Sequence, residues 1–349
     1  MDKEESLYSS HQVQRERMRS SRLVQSLGLV GKLRNVLAFA SSFNRLLRRE
    51  PDFAIAYDPF AAAQLLRRQP SALKRVVHLH ELLNVSTGGR AERLAVKYIR
   101  KYLRNADLVV VPDVFRARMT QDFADLHTEP AVVMNCPALL LELPSSKLLP
   151  ALRERGVETS KIVHYQGSVG EEHGLELILD SMQFWPRDAV FVIVGGGKKE
   201  YITRLRQRAA THGMVDRLIL LGRVPYRDVF GYAVGASVGL TLLDATIDNW
   251  RFAAGASNKR FEYLALGTAQ ITNAGPGMSE VFGKGQLALL LSDLTPQSLG
   301  RAITSLLDNP EVGGAMGQRA RAAHLSSYNY ESQFAPVAER LYSWKYRSE

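Results

Sequence analysis

The sequence predicts an α/β protein built from two parallel-sheet domains. Three observations carry this. The chain has 349 residues, more than one compact core of ordinary size holds. Short apolar runs alternate with longer amphipathic stretches from residue 53 to 134, and again from 161 onward. Between 136 and 160 the alternation lapses around Pro137, Pro144 and Pro150, as an interdomain linker would. The expected division is 1–150, 151–330 and a C-terminal helix over 331–349 that returns toward the first domain.

Residues 20–49 read as a helix. Leu23, Leu27, Val30, Leu33, Leu37, Ala40, Phe43 and Leu47 recur every three or four positions, with arginines and lysines around the stripe. Two readings stand: a helix packed on the core with a solvated basic face, or a basic amphipathic surface at an anionic membrane. Buried strands are expected at 53–57, 75–79, 107–111 and 131–134, separated by helices at 60–68, 89–104 and 114–125. Past the linker, strands are expected at 161–166, 189–194, 217–221, 237–242, 268–272 and 286–290. Helices are expected at 174–184, 198–212, 226–233, 258–266 and 295–307, and the tail from about 310 to 345 reads as helical.

Composition narrows the function classes. Hydrophobic residues are 46% and charged residues 23%, which excludes a disordered chain. The single cysteine, Cys136, excludes an internal disulfide framework and cysteine-based zinc sites, and fits a reducing compartment. No apolar run reaches the roughly 18 residues of a membrane span, and the start of the sequence has no signal-peptide pattern. Net charge is +10, which favours acidic partners such as nucleotides or anionic lipid surfaces. Residues 1–50 hold ten Lys/Arg against five Asp/Glu, so the rest of the chain is only mildly basic. Interleaved basic and aromatic residues, the mark of a nucleic-acid groove, are not found, so no nucleic acid is expected.

In open α/β sheets, ligands sit beyond the carboxyl ends of the strands. Four loops there draw the eye. Tyr165-Gln166-Gly167-Ser168-Val169-Gly170 precedes His173-Gly174 at a helix start, and reads as a phosphate loop or a tight turn. Val194-Gly195-Gly196-Gly197-Lys198-Lys199 reads equally as an anion loop or a structural turn. The third loop, from Gly255 through Ser257, Asn258, Lys259, Arg260 and Glu262, is the most informative. Ser257 or Asn258 can cap the helix, yet Lys259 and Arg260 fall in its first turn, where the macrodipole disfavours cations. A bound anion resolves that conflict. Glu262, one turn further in, suits a ribose diol. The fourth is His78-Leu79-His80-Glu81, where period two puts both histidines on one face. They are core histidines or, at His80 and Glu81, the acceptor-side pair.

At these residues the sequence resembles GT-B glycosyltransferases of the family-4 retaining type, in particular the bacterial polysaccharide-biosynthesis group. The similarity runs through Tyr165-Gln166-Gly167, Val192-Ile193-Val194-Gly195, Leu221-Gly222-Arg223-Val224-Pro225, Ser257-Asn258-Lys259-Arg260-Phe261-Glu262-Tyr263 and Gly275-Pro276-Gly277-Met278-Ser279-Glu280. Tyr328-Asn329-Tyr330-Glu331 resembles the family's terminal helix. Weaker similarity, through Pro51-Asp52, Val77 to Glu81 and Asn135-Cys136-Pro137, brings coverage to about 300 residues. The Asn-Lys-x-x-Glu-Tyr stretch is the specific part.

The resemblance implies two Rossmann-like domains facing a cleft, with the first apparently truncated. It implies a hexosyltransferase-type, metal-independent glycosyltransferase that moves a sugar from a nucleotide diphosphate sugar to an acceptor hydroxyl in surface polysaccharide or glycoconjugate assembly. By it, Glu262 binds ribose, Gly222, Arg223 and Val224 hold the base, and Gly255, Ser257, Asn258 and Lys259 cradle sugar and phosphate. Gly167 and Ser168 line the donor, and Lys259, Arg260 or Lys198 supply cations. No cofactor is expected beyond the nucleotide sugar. Expected partners are that donor, a saccharide or lipid-linked acceptor, an anionic membrane surface and a partner subunit. The expected place is the cytoplasm, peripheral at the inner membrane face. Departures are visible too. The family's Glu-x7-Glu reads Ala254 to Glu262, its usual Arg is Ser168, its usual Lys is His173, and a helical segment stands where it opens with a strand and glycine-rich loop. The alternative is a non-catalytic nucleotide-sugar-binding relative, or a subunit of a split glycosyltransferase.

Overall fold

The computed structural model describes residues 28–48, 51–67, 73–84 and 89–346. The expected helix over 20–49 is seen as α1 (Gly28–Leu47); residues 20–27 lie outside the described part. Next comes a sheet of four parallel strands, β1 (Phe53–Tyr57), β2 (Lys74–His78), β3 (Leu108–Val111) and β4 (Ala131–Val132), adjacent in chain order. The connections are α2 (Asp58–Leu66), α3 (Arg90–Tyr102) and α4 (Val114–Ala124). After α5 (Leu148–Arg153) a second parallel sheet contains β5 (Ile162–Val169), β6 (Val190–Gly197), β7 (Leu218–Gly222), β8 (Val238–Thr241), β9 (Gln270–Asn273) and β10 (Leu289–Leu291). Its helices are α6 (Leu175–Ser181), α7 (Lys199–Thr211), α8 (Asp248–Arg251), α9 (Asn258–Leu266), α10 (Pro296–Asp308), α11 (Pro310–Ser326) and α12 (Tyr330–Tyr346).

Both sheets are covered on two faces, which is why their strands read as continuous apolar runs. Along β6, Phe191 and Ile193 enter one core with α6, α7 and α10, while Val190, Val192 and Val194 enter another with Leu148 and Leu152 of α5. In the first sheet, Val77, Val109 and Val111 pack with α2 and α3. The opposite face, Val76, Leu108 and Val110, is covered by Phe334, Val337 and Leu341 of α12. Phe43 and Leu47 of α1 rest on the first-domain core.

One expected element differs. Residues 226–233 form a short 3₁₀ turn (Tyr226–Asp228) and irregular turns in place of a helix. Gly231 lowers helix propensity there, and its carbonyl instead holds the linker, accepting from the Lys147 amide at 2.7 Å and the Leu148 amide at 3.2 Å. The tail is helical as expected, in two segments, because Asn329 Oδ1 accepts from the Ser332 amide (2.8 Å) and caps a new start.

The second sheet runs β10-β9-β8-β5-β6-β7, so chain order reverses between β5 and β8. That switch point leaves a crevice at the carboxyl ends of the two strands. No helix among the described residues is long and apolar enough to cross a membrane.

Candidate functional site

A cleft of about 790 Å³ lies where the carboxyl ends of the two sheets meet. The first sheet contributes His78 at the end of β2, His80 and Glu81 after it, and Asn135 and Cys136 after β4. The second contributes the loops after β5, β6, β7 and β8, and the start of α9.

The start of α9 has the geometry that can receive an anion. Ser257 is the N-cap residue, yet its side chain makes no capping hydrogen bond. The first amides of a helix lack internal partners and carry the positive end of its dipole. Ser257, Asn258, Lys259 and Glu262 all line the cleft. Lys259 Nζ lies 4.8 Å above the Tyr165 ring and donates to its Oη at 3.3 Å. The tyrosine in turn donates to the Ser168 carbonyl. Burial, and then the neighbouring Arg260 charge, push the Lys259 ammonium down to about 8. An incoming diphosphate would relieve both.

Glu262 accepts from Gln166 Nε2 at 2.5 Å, and burial pushes its carboxyl upward against that hydrogen bond and Lys259. Gln166 Oε1 is buried without a partner. Arg223, Val224 and Tyr226 flank this end, and the Tyr226 ring is 67% exposed. Gly167 admits the Lys259 side chain: a Cβ there would lie 3.1 Å from Lys259 Cε.

Four expected donor residues are not at the cleft wall. Arg260 is buried and points away: its Nε donates to Thr272 Oγ1 (3.0 Å) and its Nη1 to the Ala253 carbonyl (2.7 Å). Burial alone pushes it down to about 9, with the Asp113 charge acting against that. It is a structural cation, because one step along a helix turns a side chain by about 100°. Gly255 is an interdomain seam. Its amide donates to Asp113 Oδ2 (2.9 Å), its carbonyl accepts from the Asn135 amide (2.8 Å), and a Cβ would meet the Pro112 carbonyl at 2.0 Å. Lys198 is exposed and lies outside the cleft lining, as does Gly222 with φ +76°. The triple glycine is likewise structural at its ends. A Cβ on Gly195 would lie 1.8 Å from the Gly167 carbonyl, and one on Gly197 1.8 Å from that of Val169.

His173 holds no charge here. Burial, and then Lys259, depress its imidazole to about 3. Ala254 is buried beside Phe261 and does not line the cleft. Among the described residues, the lining cations are therefore Lys259 and Arg223, and the lining carboxylates Glu81 and Glu262.

The acceptor side contains a residue that the sequence reading missed. Asp58 Oδ1 accepts from the His80 amide (2.9 Å), and Oδ2 stands 3.5 Å from His80 Nδ1. Burial raises the Asp58 carboxyl, but the His80 hydrogen bonds outweigh it and hold it below its ordinary value. Asp58 sits at φ +58°, a conformation that costs a non-glycine residue free energy. The His80 ring stacks on His78 (4.5 Å) and Tyr57 (5.5 Å). His78 is buried with both ring nitrogens unpartnered, and burial, then the His80 charge, lower it to about 4.

Long-range contacts join the halves. The buried Arg116 donates to the carbonyls of His80 (2.6 Å), Asn249 (2.5 Å) and Phe252 (2.7 Å). Asn249 donates to Glu81 Oε2 (2.6 Å) and accepts from the Leu82 amide (3.0 Å). These pairs are separated by up to 168 residues, so no local motif announces them. Among the described residues no group of three or more His, Cys, Asp or Glu side chains is placed to hold a metal ion.

Comparison with known proteins gives the same picture. Residues 152–323 match the family described as Glycosyl transferases group 1. Among solved structures, HepE of Anabaena in complex with UDP-glucose superposes with a TM-score of 0.70 at 18% identity, covering 97% of this chain and 88% of that one. Sucrose-phosphate synthase from Thermosynechococcus elongatus gives 0.70 at 17%, covering 95% and 81%. WaaG, a glycosyltransferase involved in lipopolysaccharide biosynthesis, gives 0.64 at 14%, covering 88% and 82%. No curated protein matches in sequence. The fold is GT-B.

Proposed function

We propose, from a second domain that matches the group 1 glycosyl transferase family, that this chain moves a sugar from a nucleotide diphosphate sugar to an acceptor hydroxyl. The observation that carries this is the uncapped start of α9 at the sheet's switch point, with Lys259 in its first turn and Glu262 one turn further in. Breaking the bond between the sugar's anomeric carbon and the diphosphate places negative charge on the leaving oxygen. Preorganised donors stabilise such charge best in a site closed from water. The α9 amides, Lys259 and Arg223 would serve here in place of a metal. Glu262, steadied by Gln166, would take the ribose hydroxyls, and Tyr226 with Val224 would flank the base.

On the facing wall His80 would contact the acceptor hydroxyl or the transferred sugar. Asp58 fixes the ring, and Glu81 is held by Asn249. The family-4 retaining outcome belongs to this proposal, as do a hexose donor, a reduced first domain, a saccharide or lipid-linked acceptor in surface polysaccharide or glycoconjugate assembly, and a cytoplasmic, membrane-peripheral site. Ala254 and His173 favour a second reading. They stand where the resembled family has an acid and a cation, so a nucleotide-sugar-binding subunit that works with a catalytic partner fits as well.

Thermal unfolding with a panel of UDP-, GDP- and ADP-sugars tests the common part. A ligand at a hundredfold excess over its Kd adds about 2.7 kcal/mol. A panel without any shift refutes both readings. With binding found, release of nucleoside diphosphate by the isolated chain separates enzyme from subunit.

A further inference from the structure

Outside residues 1–50, the chain's excess positive charge is confined to one helix. Residues 90–104 carry six cations, Arg90, Arg93, Lys97, Arg100, Lys101 and Arg104, against one acid, Glu92. That is five of the net +10; residues 1–50 supply the other five, and elsewhere the signs cancel.

The helix sorts these charges. Val96 and Ile99 of α3, with Leu103 just beyond it, are buried in the first-domain core. At about 100° per residue, the five cations of α3 and Leu94 fall within an arc of about 120° centred about 130° from the buried face, Glu92 falls outside it, and Arg104 continues the row in the following 3₁₀ turn. All six cations are exposed, and Leu94 is 66% exposed among them. Among the described residues no carboxylate forms an ion pair with any of the six. The stripe is about 21 Å long at 1.5 Å per residue.

We propose that this face of α3 docks the protein on an anionic lipid bilayer surface. A helix seated on a core presents a convex row of cations, which fits a plane of headgroups and not a groove around a strand. Leu94 supplies a short apolar insert between Arg90 and Lys97. The rings nearest the stripe are already engaged and not splayed out to stack bases: Tyr98 and Tyr102 stack on each other at 4.3 Å and pack on the core with Phe123, with Lys101 over Tyr102 and Arg100 over Phe123. The apolar face of α3 is already occupied by the core, so attachment is electrostatic, shallow and reversed by salt. The proposal does not rest on the donor site. It places the membrane contact on α3 and not on the stripe of residues 20–49: Phe43 and Leu47 of that stripe are packed on the core, and residues 20–27 lie outside the described part.

The test is sedimentation of the full chain with vesicles of phosphatidylcholine, alone or with phosphatidylglycerol. The wild type is expected to pellet with the anionic vesicles only, and to be released at high salt. Each basic residue near such a surface contributes about fivefold in affinity, so Arg93→Gln, Lys97→Gln and Lys101→Gln together should lower it about a hundredfold. The matched variant Lys199→Gln, Arg206→Gln and Lys284→Gln should bind as the wild type does. Circular dichroism and nucleotide binding show that each variant is folded. Absence of wild-type pelleting at low salt overturns the proposal, as does equal pelleting with neutral vesicles. Undiminished pelleting of the α3 variant overturns it in favour of residues 1–50. Tighter binding of a DNA duplex than of vesicles, lost in the α3 variant, overturns it in favour of nucleic acid.

Discussion

With Lys259 beside the phosphates, as proposed, nucleotide binding is proton-linked, with a sign and size that follow from the lysine's surroundings. In the free protein burial and Arg260 hold its ammonium near 8, while Glu262 and Glu172 pull the other way. A diphosphate laid against it favours the charged form, so the complex holds the proton more tightly than the free protein does. The folded, free state then sets the upper edge: affinity is fully present below about pH 8 and falls as pH rises through it. From about pH 7 to about pH 9.5 the protonated fraction drops from about nine-tenths to about one-thirtieth. Affinity should fall about thirtyfold, about 2 kcal/mol. His173 is neutral throughout that window. The assay is calorimetric titration with UDP, GDP or ADP, whichever raises the melting temperature most, with the matching nucleoside alongside. Nucleoside affinity should stay flat, and Lys259→Met should bind the diphosphate weakly with the slope removed. A wild-type diphosphate affinity that is level across the window refutes the placement of Lys259 beside the phosphates.

Three further perturbations probe other parts of the site. Glu262→Ala should weaken diphosphate and nucleoside binding equally, by roughly 1.5–3 kcal/mol, since the proposed contact is to ribose; a loss restricted to the diphosphate contradicts that. Arg116→Met removes three hydrogen bonds from a charged donor but also spares the burial of a guanidinium, for a net loss of about 3 kcal/mol in urea unfolding. An unchanged midpoint counts against its bridging role. Gly195→Ala forces a Cβ into the Gly167 carbonyl at φ +155° and should cost about 2–4 kcal/mol. Gly196→Ala meets the Arg223 side chain, Nε at 2.5 Å and Cγ at 2.6 Å, which can turn aside where a backbone carbonyl cannot, so it should cost only about 1 kcal/mol while weakening nucleotide binding. Equal destabilisation by the two glycine variants excludes this distinction.

The strands were legible because each is a short run buried on both faces, and α9 was legible because its apolar periodicity ends at Gly267, an αL C-cap. What the sequence could not rank was direction. Lys259 and Arg260 are equivalent as letters, yet one faces the cleft and the other binds Thr272. Gly255 looked like part of a phosphate loop because its reason for being glycine, the Pro112 carbonyl, lies 143 residues away in the chain. Asp58 was missed for a similar reason: its tie to His80 spans 22 residues and depends on a left-handed backbone that composition does not reveal. The segment 226–233 misled because its apolar residues serve two places: Tyr232 packs with Leu148 and Leu152 of the linker helix, while Tyr226 and Val229 line the cleft.

The packing of α12 sets an order of events during synthesis. Val76, Leu108, Val110 and Val133 leave the ribosome early, but Phe334, Val337 and Leu341 that cover them come some 200 residues later. At about 5–20 residues per second, this sheet face waits roughly 10–40 s for its lid. Throughout that interval the nascent first domain shows an apolar surface on an otherwise formed sheet, a ready seat for a chaperone and a hazard for neighbouring nascent chains. Emergence of the last helix ends both, so the first domain to be made is among the last to be finished.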